Sequence, residues 1–528
     1  MISRNRSAFP PLLQGCLSAA AKRPVVGRAT KPAWANPNPI HGMALSAMVF
    51  ILCLENSHAA SWYVEPSSAG SNNGTSWSNA WSMATLNSNW ATVQPGDTVW
   101  IAGGKYTTSM QPGTNGTAAA PILVMRPQGT DSVPTSSPGW SSSFNAQVLI
   151  EPSGSTNNNS PLMYNSNSGN YMTFNGRVAN GIRFYSDSSY NSTNQNGGPY
   201  GALDFGYGSG GNNNISFNYC EFSGPGSTGT SGSIYVLNFY TWNGNNYGGV
   251  SGLLFSNCYI HGGVAAIASE GLSNSTIENC EFSDIGSDSS SYHSNCFQIE
   301  NSSGNTFRYN NVHDWQIEGF FWLGVSGTWY IYGNVFHDCS NASARFMELA
   351  SGSNTSSNGP LYIWNNTFYN IPLTIFSGAG GSTGSYSSSN SCENNIFWAC
   401  GGVFENFTAT EDYNYFGGGN AVEGTGKHNV SGSGATPFVT ASKTPTGGSG
   451  SGAGDPAVTA FEIVSTLGSN YPRNLGLALS SDGYINKDLV GDTRGADGSW
   501  DIGAFEYSTA STATPTPSPA TVQDVRFN

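Results

Sequence analysis

The stretch NTFRYNNVHD (305–314) decides the architecture. Phe307 and Val312 are apolar, yet the gap between them suits neither the alternation of a strand nor one face of a helix. The pattern recurs as FNYCEF (217–222), FSNCYI (255–260), IENCEF (277–282), FRYNNV (307–312), IYGNVF (331–336), IWNNTF (363–368) and CENNIF (392–397). Three columns hold throughout. The first carries Phe217, Phe255, Ile277, Phe307, Ile331, Ile363 and Cys392. The middle column carries Cys220, Cys258, Cys280, Asn310, Asn334, Asn366 and Asn395, and the third is apolar from Phe222 to Phe397.

Successive middle-column residues lie 38, 22, 30, 24, 32 and 29 residues apart. Helical repeats keep a stricter period, because each unit must pack as a whole helix pair. A coil of strands needs only enough residues for one circuit, and extra length bulges out as a loop. The expected fold is therefore all-β, a parallel β-helix in which coils stack at roughly 4.8 Å and each covers its neighbour's apolar face. The chain turns a corner between the first and third columns. Asn suits that corner because it tolerates the left-handed backbone and can form an amide ladder between coils.

Composition agrees. Of 528 residues, 67 are Gly, 12% are aromatic and only 9% are charged, which is too polar for a membrane protein and too aromatic for a disordered one. Lys and Arg total 18 against 32 Asp and Glu, a net charge of −14, which argues against nucleic acid as a partner. MALSAMVFILCL (43–54), preceded by a basic segment and followed by Ser57-His58-Ala59, reads as an export signal. Residues 1–59 are then a leader (with Met43 an alternative start), 60–507 the β-helix with an N-terminal cap and loop insertions, and 508–528 a Ser/Thr/Pro tail. The mature chain is expected to be secreted or at the cell surface, monomeric and not membrane-inserted. Seven cysteines remain after cleavage, and their spacing fits no zinc pattern. Interior packing accounts for those in the ladder, with disulfides between adjacent coils as the alternative.

The flanks carry a resemblance. SWYVEPSSAGSNNGTSWSNAW (61–81), QPGDTVWIAGGKY (94–106) and GDTRGADGSWDIGAFEY (491–507) make the chain similar to secreted bacterial right-handed β-helix proteins of the pectate lyase-like superfamily. That resemblance implies a capped solenoid, with the last segment as its closure. It also implies a polysaccharide partner, for a lyase, a glycoside hydrolase, an epimerase or a non-catalytic surface protein. In such enzymes the sheet preceding the Asn corner floors the substrate groove.

Counting back from the ladder, FQIEN (297–301) alternates, with Phe297 and Ile299 inward and Gln298 and Glu300 outward. Aligning neighbouring coils places Glu270 beside Glu300, then Phe321 and Leu323 inward with Trp322 outward, then Met347 and Leu349 inward with Glu348 outward. The expected site thus joins Glu270, Glu300 and Glu348 to His293, Glu318 and Arg345 at the rim, with Gln298 and Trp322 contacting substrate. Paired carboxylates suit glycoside hydrolysis, and on this alignment Glu300 and Glu348 stand roughly 9.6 Å apart along one column. A hydrolase needs no cofactor. A β-eliminating lyase would need cations or Ca²⁺, which Glu270 and Glu300 could bind, but between 201 and 420 the only cations are Arg308 and Arg345. A groove walled by insertions at 223–250 and 341–360 would separate an enzyme from a glycan-binding surface protein. His313-Asp314 and His337-Asp338 read as polar exits from buried strands, with a metal site as the other reading.

Overall fold

The computed structural model describes residues 59–508 apart from 153–159, 165–166, 187–200, 206–210, 227–234, 240–248, 287–294, 324–325, 340–342, 350–358, 379–386, 406–409, 433, 440–455 and 480–484. The leader, the Ser/Thr/Pro tail and His293 lie outside the described residues, as do large parts of both expected insertions. Among the described residues, no helix is long and apolar enough to cross a membrane.

Three parallel sheets of 12, 12 and 9 strands run the length of the body. Each coil contributes one strand to each in turn, for example Asn305–Arg308 to the first, Asn311–His313 to the second and Glu318–Leu323 to the third. With crossovers of the usual hand, this is the expected right-handed parallel β-helix. The column assignments hold in register: Ile277, Phe307 and Ile331 pair in the first sheet, and Phe282, Val312 and Phe336 in the second. Inward rings stack at the strand repeat, with Phe336–Phe368 at 5.2 Å, Phe368–Phe397 at 5.1 Å and Phe397–Phe416 at 5.3 Å. Burying each such ring contributes about 1.5–3 kcal/mol, so the solenoid is held by its stacked columns.

The ladder sits at the corner between the first and second sheets. Asn334 donates from Nδ2 to Asn366 Oδ1 at 2.9 Å, and its own Oδ1 accepts from the Asn310 main-chain N–H at 2.8 Å. The series continues from Asn366 to Asn395 and on to Asn414. One expectation is corrected here. The left-handed residue is the one before the ladder position, as at Tyr309 (φ 56°), Asn365 (φ 51°) and Asn394 (φ 59°). The ladder amide therefore serves to bond the stacked backbones, and its neighbour makes the bend. All seven described cysteines are free thiols, so no disulfide links the coils.

Two devices close the solenoid. The helix Met83–Asn89, whose N-cap Ser82 accepts from Thr85 N, sets Met83 and Leu86 into the core beside Trp90 and Val93. Asp97 of the Pro-Gly-Asp-Thr stretch ties this end by accepting from Ala60 N, Gln94 N and Trp62 Nε1. The segment expected to close the other end instead packs along the side. Its Trp500, Ile502, Ala504 and Phe505 join a second cluster with Tyr415 and Trp398, and Ala504 N donates to Thr367 Oγ1. Three buried carboxylates knot this segment: Asp488 accepts from Glu506 N, Glu506 from Asp501 N, and Asp501 from Tyr507 N.

Candidate functional site

From Asn218 onward the first-to-second corner is tight, whereas the connections entering and leaving the third sheet vary widely, from Gly263–Ala265 to Gly378–Ser391. The span 223–250 is not one insertion, since Tyr235–Phe239 is itself a strand of the third sheet. FQIEN also belongs to this sheet, one sheet further back from the Asn corner than the resemblance implies.

Four consecutive strands of the third sheet carry matching pairs of residues three apart. These are Asn295 and Gln298, Glu318 and Phe321, Arg345 and Glu348, and Thr374 and Ser377, aligned in register. The two residues between each pair are fully or almost fully buried: Cys296 and Phe297, Phe346 and Met347, Ile375 and Phe376. Gly319 and Phe320 fill that place on the second of these strands. A Cβ on Gly319 would stand 2.6 Å from the Phe346 carbonyl oxygen, so glycine allows the strands to close there.

Trp322 is corrected from outward to inward. It is buried, pairs with Ile299 and meets Trp329 edge-on at 5.0 Å. Phe321, expected inside, pairs with Gln298 and Glu348 on the outer face. The physical cause is one residue of length. Gln298 to Phe321 spans one residue fewer than Asn310 to Asn334, so counting back from the ladder flips the face of that strand. The same shift removes Glu348 from the Glu300 column: Glu300 pairs with Leu323, and Glu348 aligns through Phe321 with Gln298.

Two carboxylate groups result. Glu270 and Glu300 pair as expected, Glu270 accepting from Asn301 Nδ2 at 3.1 Å and Glu300 from Gln298 Nε2 at 3.0 Å. The second group is Glu318, Arg345 and Glu348. Arg345 donates to Glu348 at 2.5 Å and, more weakly, to Ser377. Burial pushes the Glu318 carboxyl up to about 8, the neighbouring Glu348 charge and a hydrogen bond to it add to this, and Arg345 opposes. At neutral pH, Glu318 therefore carries a proton beside an ion-paired carboxylate. Along the column of Gln298 and Glu348, burial pushes Asp204 up to about 7, against its bond to Ser160.

The second sheet holds polar side chains the sequence pattern does not single out. Glu221 Oε1 is shared by Arg183 Nε and His261 Nε2, both at 3.0 Å, and the Tyr259 ring stacks on His261. His313 bridges Asp314 and Glu281, and His337 bridges Asp338 and Asn311, which is the structural reading of those pairs. Among the described residues, only Asp497, Asp501 and Glu506 bring three ligand atoms within 4.8 Å of one another. Oxygens of Asp501 and Glu506 already accept backbone N–H groups, and Asp497 binds Arg473.

Fold and site together define a parallel β-helix protein in which burial raises one carboxyl, Glu318, beside an Arg–Glu ion pair on its third sheet. Protein-family models and curated proteins give no match to the chain. Among solved structures it is similar to pectate lyase Pel9A, at 15% identity over 86% of this chain and 97% of that one, with a TM-score of 0.41. It is also similar to an alginate lyase from Paenibacillus sp. str. FPU-7, at 12% identity over 62% and 97% of the two chains (TM-score 0.40). A third is the GH136 lacto-N-biosidase from Eubacterium ramulus, at 11% identity over 68% and 67% (TM-score 0.36).

Proposed function

We propose that the protein is a secreted enzyme that hydrolyses glycosidic bonds of a polysaccharide on the outer face of the third sheet. What carries this reading is the largely buried Glu318 carboxyl, pushed up to about 8 by burial and Glu348 and set beside the Arg345–Glu348 pair. A carboxylic acid poised in this way can protonate a leaving glycosidic oxygen as the C–O bond breaks. Water then adds to the anomeric carbon and passes its proton to a second carboxylate. Glu348 shares a hydrogen bond with Glu318, which sets it closer than the roughly 5–5.5 Å of a carboxylate nucleophile and acid. Its role is to hold the proton on Glu318. Glu300, fixed by Gln298, and its neighbour Glu270 lie five residues along the strands from the Glu318 register, where they can bind further units of the same polysaccharide chain. Phe321 offers the sugar an aromatic face between Gln298 and Glu348.

β-Elimination is the less supported chemistry. It needs a free cation for the uronate carboxylate, and Arg345 is engaged by Glu348 just as Arg183 is by Glu221. The test is a polysaccharide panel read for new reducing ends and for absorbance of unsaturated uronate. Reducing ends without that absorbance, lost in Glu318→Gln, are expected. Unsaturated products would overturn the hydrolase reading.

A further inference from the structure

Besides the closing segment, a second piece of chain lies over the second sheet. Phe438 and Ile463 pair antiparallel, Val439 N donates to Glu462 O, and Val464 N donates to Pro437 O. The clip so formed lays its two buried rings on a register column of three strands, His337, Tyr369 and Trp398. Phe438 meets Tyr369 at 5.9 Å and Trp398 at 6.0 Å, and Phe461 meets Tyr369 at 5.3 Å and His337 at 4.8 Å. Aromatic packing alone is indifferent to pH, but this clip also rests on an imidazole.

His337 is fully buried. Its Nδ1 lies 2.9 Å from Asp338 Oδ2, its Nε2 lies 2.9 Å from Asn311 Oδ1, and its ring stacks on His313 of the preceding coil at 4.9 Å. His313 stands between two carboxylates, Asp314 at 2.8 Å and Glu281 at 3.2 Å. Burial lowers that ring, but the bonds to Asp314 and Glu281 raise it to about 9, so it is an imidazolium. For His337, burial and the His313 charge outweigh Asp338 and Asp314 and hold the ring below its ordinary 6.5. Asn311 Nδ2 has no partner as the amide stands. The amide can serve either state, its oxygen accepting from a protonated Nε2 or, turned end for end, its nitrogen donating to a neutral one. Tyr369 faces the ring from the following strand, and Glu462 is the one titratable side chain among the described residues of 436–464.

We propose that residues 436–439 and 456–464 form an acid-released strap, with His337, stacked on His313 and covered by Phe461, as its trigger. Lifting the strap lets water reach the imidazole and removes the burial that keeps it neutral. A proton then binds the open form more tightly than the closed one, so each proton taken up at His337 favours release. An imidazolium would also be attracted to the Phe461 ring, but for a fully buried charge the lost hydration outweighs that attraction. A histidine held below 6.5 only when covered gives the closed form its full stability above 6.5, and that stability is lost as pH falls below it. The strap lies on a different sheet from Glu318, and its release is independent of the hydrolase reading.

The test is hydrogen exchange of the full chain at about pH 7.5 and pH 5, each rate corrected for the intrinsic effect of pH and referred to strands 98–101 and 122–125. In wild type, protection at 438–439 and 461–464 is expected to fall about tenfold at the lower pH, the effect of one proton bound about tenfold more tightly in the open form, while the reference strands hold. His337→Gln, which cannot take up a charge, should show equal strap protection at the two pH values. Equal protection in wild type, or a fall of the same size in His337→Gln, overturns the proposal. A fall shared by the reference strands is general acid unfolding and overturns it too. Phe461→Ala alters the strap and leaves every solenoid strand unchanged in sequence. With ¹³C-labelled histidine, the His337 ring is expected to titrate at higher pH in Phe461→Ala than in wild type, because its cover is gone. An unchanged His337 titration in Phe461→Ala also overturns the proposal.

Discussion

Replacing Asn334 by Ala removes one rung of the corner ladder, and its consequence can be worked out from the bonds. Asn334 Oδ1 accepts from the Asn310 main-chain N–H at 2.8 Å and from Asn310 Nδ2 at 3.0 Å. Its Nδ2 donates to Phe307 O at 3.0 Å, Tyr332 O at 3.1 Å and Asn366 Oδ1 at 2.9 Å. Asn310 Nδ2 keeps Ile277 O, and Asn366 Oδ1 keeps the Asn334 main-chain N–H, so those partners stay satisfied. The Asn310 N–H is left without its acceptor in a fully buried corner. An orphaned buried donor costs about 1–3 kcal/mol and each lost net bond about 1 kcal/mol, so roughly 3–5 kcal/mol in all is expected. Because a solenoid couples mainly nearest neighbours, the loss should be local. Native-state hydrogen exchange should show protection falling over 305–312 and 331–336 and holding at 98–101 and 122–125. A loss under about 1 kcal/mol, or one spread evenly along the chain, would refute the assignment of the ladder as the corner's main tie.

Three further outcomes are expected. The pH profile of kcat/KM should fall above about 8 as Glu318 loses its proton, and the same raised value means the stability it confers is lost as pH rises from 4.5 towards 8. Calorimetry across that range checks the second part. Asp204→Asn should raise the melting temperature at pH 8 and leave it unchanged at pH 3, since the burial that pushes Asp204 from 3.8 to about 7 penalises only the ionised form. Gly319→Ala should cost about 1–3 kcal/mol in urea unfolding, because the new methyl meets the Phe346 carbonyl rather than a side chain able to move.

The solenoid was legible because its corner repeats locally. Phe307, Asn310 and Val312 lie within one short stretch, and no loop length intervenes between the columns they mark. Earlier coils were missed for the same reason. Phe174 and Phe184 share the columns of Phe217 and Phe222, but a longer corner from Gly176 to Gly181 replaces the ladder motif. The site was half legible. Glu270 beside Glu300 followed from aligning neighbouring coils on the ladder, whereas Trp322 was placed on the wrong face because the extra residue of that coil falls after the third sheet. The raised Glu318 carboxyl comes first from burial and then from Glu348 one strand away, against the pull of Arg345, and no sequence spacing reports that balance.

The central claim is that Glu318 serves as the proton donor in hydrolysis. It is tested most directly by the reducing-end rate of wild type and Glu318→Gln on whichever polysaccharide the panel identifies. The expected result is a loss of at least about a hundredfold in Glu318→Gln, within the usual range for a general acid, with polysaccharide binding kept. Full activity in Glu318→Gln would contradict the account, as would wild-type products carrying the unsaturated-uronate absorbance.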